Sequence, residues 1–114
     1  MHEYSLVAAL VERVEDEARR RGALAIHALK VSVGELAGVD PELFRTAYET
    51  FRAGTRCEGA RLEVVTCPAA WSCPSCGKTF ARGEVLRCAA CERPARLSER
   101  SEALLLESIE MEVP

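Results

Sequence analysis

Two groups of residues in this 114-residue chain have the types and spacing to hold metal ions. Cys73-Pro74-Ser75-Cys76-Gly77 and Cys88-Ala89-Ala90-Cys91 are CxxC turns separated by eleven residues. Each turn can aim two sulfurs at a common point, and a hairpin between them would bring four together as a closed tetrahedral site. Thiolates are soft ligands and tetrahedral geometry costs Zn²⁺ nothing, so zinc is the expected metal. Four protein ligands leave no open coordination position, which predicts a structural zinc and not a hydrolytic one. A redox dithiol or an iron–sulfur cluster is the alternative use of the same residues.

The second group is Met1-His2-Glu3. A free terminal amine, the amide nitrogen of His2 and its imidazole Nδ1 can form fused chelate rings around one ion. The amide of Glu3 can offer a fourth nitrogen. Four nitrogens in a plane suit Ni²⁺ or Cu²⁺, not Zn²⁺ or Mg²⁺. If a helix begins here, its first N–H groups have no intrahelical acceptor, so deprotonating them for a metal breaks no ladder hydrogen bond. The plain alternative is an exposed histidine near a helix start.

The elements that must position these groups are legible from periodicity. Leu6, Val7, Leu10, Val11, Val14 and Ala18 recur at helical spacing over residues 3–21, Arg19-Arg20-Arg21 suit the last turn, and Gly22 stops the helix. Residues 24–36 read as a strand with Leu29, Val31 and Val33 on one face, and His27 on that same face as a half-buried histidine. Gly34 and Gly38 bracket a turn. Asp40 then caps a second helix, with Pro41 in its first position and Leu43, Phe44, Ala47, Tyr48 and Phe51 as an apolar stripe. Residues 60–67 read as a strand with Leu62 and Val64 on one face. Residues 103–113 read as another, where Leu104 and Leu106 share one phase and Ile109, Met111 and Val113 the other, so a bulge near Glu107 and Ser108 is expected.

Between the last two strands, residues 69–100 are poor in branched aliphatics and hold the paired cysteines. The expected class is α+β: two helices on a three-stranded sheet formed by 1–68 and 101–114, with a zinc-ribbon module, 69–100, inserted between neighbouring strands. Cys57 and Cys67 stand outside the CxxC pattern and read as small buried thiols.

Composition narrows the function classes. The net charge of −3 offers no electrostatic reason to seek nucleic acid or an anionic membrane. The span from Trp71 to Arg100 holds six basic and three acidic residues, but Zn²⁺ with four thiolates would add −2. That leaves the module nearly neutral, which is weak for phosphate binding, and a zinc-ribbon nucleic-acid or protein-binding module stands as the rival function. The charged first twenty residues contain no signal-peptide core or membrane span, so a reducing cytoplasm is expected. No nucleophile–base pair, P-loop or paired-carboxylate site is present, and Glu12, Glu15, Asp16 and Glu17 read as a solvated helix face. The chain is not expected to be an enzyme.

Nearly the whole sequence resembles the HypA/HybF family of hydrogenase nickel-incorporation proteins. The likeness lies in Met1-His2-Glu3-Tyr4-Ser5-Leu6, Val33-Gly34-Glu35-Leu36, Val39-Asp40-Pro41 with its aromatic helix, the paired CxxC turns, and Ser108-Ile109-Glu110. The resemblance implies a nickel metallochaperone that accepts Ni²⁺ at Met1, His2 and Glu3 and holds structural zinc at Cys73, Cys76, Cys88 and Cys91. It also implies delivery to a hydrogenase large-subunit precursor in partnership with a HypB-type GTPase. Two departures are visible: Ala89 stands where a proline is usual, and Ala103 and its neighbours replace a Gly-Arg-Glu-Leu approach to the last strand. A hinge between the module and the sheet would permit exchange into a homodimer.

Overall fold

The computed structural model describes residues 2–114. In chain order its elements are α1 (His2–Arg21), β1 (Ala25–Gly34), α2 (Pro41–Phe51), β2 (Arg61–Cys67), β3 (Ala70–Ser72), β4 (Thr79–Ala81), β5 (Arg87–Cys88), β6 (Arg93–Pro94), β7 (Arg96–Leu97), a 3-10 turn (Glu99–Ser101) and β8 (Leu104–Glu112).

Helix α1 buries Val7, Leu10, Val11, Val14 and Ala18, the stripe that the helical spacing predicts. Gly22 ends it at φ +62°, with the Ala23 N–H returning to the Ala18 carbonyl at 2.9 Å. A positive φ at that position is what a glycine supplies without steric cost. Helix α2 starts as expected. The Asp40 carboxylate accepts from the N–H groups of Glu42 and Leu43, and Pro41 gives up no donor the helix needs. Its stripe buries Phe44, Ala47 and Tyr48, whereas Phe51 stays 38% exposed and meets the Tyr4 ring at 5.6 Å.

The main sheet has the order β2-β1-β8. β1 and β2 run parallel with α2 as their crossover, and β8 is antiparallel to β1. This corrects one expectation from the sequence. β2 and β8 lie on opposite sides of β1 and are not neighbours, so the inserted segment β3–β7 connects the two outer strands. The expected bulge is present: Lys30 faces Ser108 and Val31 faces Leu106, leaving Glu107 without a partner in β1. The extra residue turns both Leu106 and Ile109 toward the core.

A second register shift corrects another expectation. Ile26 faces Met111 and Ala28 faces Glu110, so His27 is itself the extra residue on β1. The irregularity places Ile26 inward with Leu29, and His27 points outward to within 3.3 Å of the Glu112 carboxylate.

Two apolar clusters result. The larger joins both helices to the inner residues of β1, β2 and β8. Tyr48 is fully buried within it, and its hydroxyl donates to the carbonyls of Ala60 at 2.9 Å and Cys57 at 3.3 Å. Cys57 is buried there too, as expected of a small thiol, while Cys67 is only half-buried, at the end of β2. The smaller cluster comprises Cys73, Phe80 and Cys88, with Trp71, Leu86, Cys91 and Ala95 against them.

Candidate metal centres

The four predicted cysteines converge. The Sγ atoms of Cys73, Cys76, Cys88 and Cys91 all lie within 4.8 Å of one another. β3 and β4 form the hairpin carrying Cys73 and Cys76, and the pair β5–β6 carries Cys88 and Cys91 opposite them. Gly77 at φ +78° closes the first turn with its N–H on the Cys73 carbonyl at 2.9 Å. Glu92 takes the matching left-handed position after Cys91, at φ 54°. A left-handed glutamate carries a steric cost that a glycine would avoid.

The separation fits a metal. Four Zn–S bonds of about 2.3 Å in a tetrahedron set sulfurs about 3.8 Å apart. Cys76 and Cys88 stand 3.8 Å apart. Electrostatics point the same way. The backbone N–H groups of Cys76 and Ser75 pull the Cys73 thiol down to about 6, so Cys73 is the first thiolate. Cys91, hydrogen-bonded to Cys73 and Cys76, is pushed up to about 12. Four thiolates in this space therefore require a cation between them. Cys73 and Cys88 are buried and Cys76 is exposed, so the centre sits at the module surface but is closed to substrate by its own four ligands.

At the other end, Met1 lies outside the described residues. His2 opens α1 and is exposed, with its carbonyl accepting from the Ser5 hydroxyl at 3.0 Å. Glu3 is buried, at 8% exposure. Its Oε2 accepts the backbone N–H of Asp40 at 3.2 Å, and this bond, followed by one from its own N–H, holds the carboxyl below the usual glutamate range. Sequence reasoning missed this role. The carboxylate is occupied in joining the start of α1 to the cap of α2. The two cysteine-free helices thus meet at a fixed point one residue from His2. His27 lies on β1 beside Glu112. Among the described residues, only the four cysteines form a group able to hold a metal through three or more side chains.

This arrangement of an amphipathic opening helix, a three-stranded sheet and a four-cysteine ribbon recurs in known proteins. The HypA family of hydrogenase/urease nickel-incorporation metallochaperones matches residues 1–111. The hydrogenase maturation factor HypA of Wolinella succinogenes is 35% identical, over 98% of this chain and 96% of its own length. That of Nitrosospira multiformis is also 35% identical, over 97% of each. Among solved structures, the Ni metallochaperone HypA from Helicobacter pylori superposes with a TM-score of 0.72 at 28% identity over 98% of both chains. Another HypA solution structure gives 0.79 at 30% identity, over 97% of this chain and 96% of that one. Metallochaperones carry metal and do not transform a substrate, which agrees with a four-cysteine centre closed to reactants. With fold, ligand pattern and nearly full-length similarity in agreement, this chain belongs to the HypA family of nickel-incorporation metallochaperones.

Proposed function

We propose that the chain carries Ni²⁺ as cargo at its N-terminus, through the amine of Met1, the amide and imidazole of His2 and the amide of Glu3, and delivers it during maturation of a [NiFe]-hydrogenase. The observation that carries this reading is the pairing of an exposed His2 with a buried, tethered Glu3. His2 is open to an incoming ion while Glu3 behind it is anchored. A metal held in a plane of nitrogens at a chain end leaves its axial faces open to an acceptor's ligands, so transfer proceeds by ligand exchange. Zinc at Cys73, Cys76, Cys88 and Cys91 is structural, and supplies the folding energy that a module with so small an apolar cluster lacks.

The division into a nickel-binding domain, 1–68 with 101–114, and a zinc-ribbon domain, 69–100, follows the two apolar clusters. The acceptor is a hydrogenase large-subunit precursor, a HypB-type GTPase works alongside, and the setting is the cytoplasm. These rest on the family. A homodimer through exchange of the ribbon is compatible with its two-stemmed attachment.

Calorimetric titration of Ni²⁺ into protein with a free Met1 amine tests the cargo site. One ion binds per chain. His2→Ala, or two residues added before Met1, removes that binding and leaves zinc content and circular dichroism unchanged. Unchanged nickel affinity in both variants refutes the assignment.

A further inference from the structure

The two apolar clusters have no residue in common. The chain measures 53 × 32 × 17 Å with a radius of gyration of 17.6 Å, against about 13 Å for a compact chain of this length. Two units joined without shared apolar burial are free to reorient unless polar contacts prevent it. The contacts that do so are few. At the stems, Gly34 packs so closely on the backbone of Arg100 and Ser101 that a Cβ would collide with it. The Ser101 hydroxyl accepts the Ala70 N–H at 3.0 Å, and Arg100 pairs with Glu107 on β8. These contacts define a pivot.

One side chain reaches beyond the pivot. Glu35 follows β1 and uses both carboxylate oxygens across the junction. Oε1 accepts the Ala69 N–H at 2.7 Å, and Oε2 pairs with the Arg82 guanidinium at 2.7 Å. Arg82 lies in the turn after β4, which is shaped by the Glu84 carboxylate accepting the Ala81 N–H at 2.6 Å. Among the described residues, Glu35–Arg82 is the only ion pair joining the helix–sheet body to the ribbon away from the stems.

We propose that Glu35 is a latch and Arg82 its catch: closed, the pair holds the cysteine ribbon docked on the helix–sheet body, and open, it frees the ribbon to swing about residues 68–70 and 98–101. The two side chains are 44% and 61% exposed, so the pair is weak and yields to salt or to a competing charge. The device has a direction. Glu35 begins the loop that ends at Asp40, the residue Glu3 holds, so ribbon docking and the anchoring of the N-terminus act on the same short segment. The latch is independent of which metal either end binds.

The test is ¹⁵N relaxation on the zinc-saturated full chain. In low salt, amides of the body and of the ribbon report one common rotational correlation time. In Arg82→Gln and in Glu35→Gln, the ribbon amides shift to a shorter correlation time and the body amides do not. High salt produces the same shift in the unsubstituted protein and adds little in the variants. Should Glu35→Gln disturb the stem, Arg82→Gln decides alone, because it leaves the Glu35–Ala69 bond in place, and its zinc content of one per chain confirms an intact ribbon. A common correlation time in all three proteins overturns the proposal, as does independent tumbling of the ribbon in the unsubstituted protein at low salt.

Discussion

The carboxylate of Glu3, on the first turn of α1, accepts the backbone N–H of Asp40 at 3.2 Å, while the carboxylate of Asp40 caps the first turn of α2. Two acidic residues 37 positions apart thus serve in series, one on the other's backbone. Each also lies at the positive end of a helix dipole, where negative charge is favoured.

That relationship predicts a measurable loosening. In Glu3→Ala the Asp40 amide loses its acceptor, so it exchanges with solvent faster. The amides of Val14 and Val31, deep in the core, keep their protection. Amide hydrogen exchange read by NMR or mass spectrometry checks this. Unchanged exchange at Asp40 shows that the bond does not persist in solution.

Tyr48 supplies a test of the larger core. Its hydroxyl is buried and donates to the carbonyls of Cys57 and Ala60, and burial keeps the phenol well above its ordinary pKa. Tyr48→Phe keeps the ring but leaves two carbonyls with one donor fewer, at a cost of about 1–2 kcal/mol in urea unfolding. Because the site lies in the helix–sheet body, zinc content stays the same.

Removing one sulfur separates the two clusters. Cys88→Ser, or chelation of the metal from the unsubstituted protein, collapses the NMR dispersion of residues 70–98. The amides of α1 and β1, which belong to the other cluster, keep theirs. A chain that unfolds throughout on chelation shows that the clusters are thermodynamically coupled after all.

Glu35 carries a pH dependence of defined sign. The Ala69 N–H first, and Arg82 second, hold its carboxyl below the ordinary glutamate value, and no other charged side chain is among the causes of its shift. A group with a depressed folded pKa contributes stability that is full above the unfolded value and is lost as pH falls through the folded one. Ribbon docking therefore persists at neutral pH and weakens as pH falls from the ordinary glutamate value through the lowered one. A carboxyl ¹³C titration locates the midpoint, and Glu35→Gln abolishes that part of the pH response.

Much of this molecule is local chemistry and could be read along the chain. Asp40-Pro41 announces a capped helix because a side-chain oxygen and a missing donor suit the first turn whatever surrounds them. The phase change between Leu106 and Ile109 implies a bulge because side chains alternate along a strand. The CxxC pairs imply a four-sulfur cluster because each turn orients its own two sulfurs. Tertiary structure decided the rest. The order β2-β1-β8 depends on which strand the α2 crossover leaves in the centre. The outward turn of His27 depends on a register shift that no alternation of apolar residues in β1 reveals. Glu3 and Glu35 look like ordinary surface acids in sequence, and Asp40 and Ala69 offer them only backbone N–H groups. A backbone donor is the same for every residue type, so only folding shows which carboxylate reaches it.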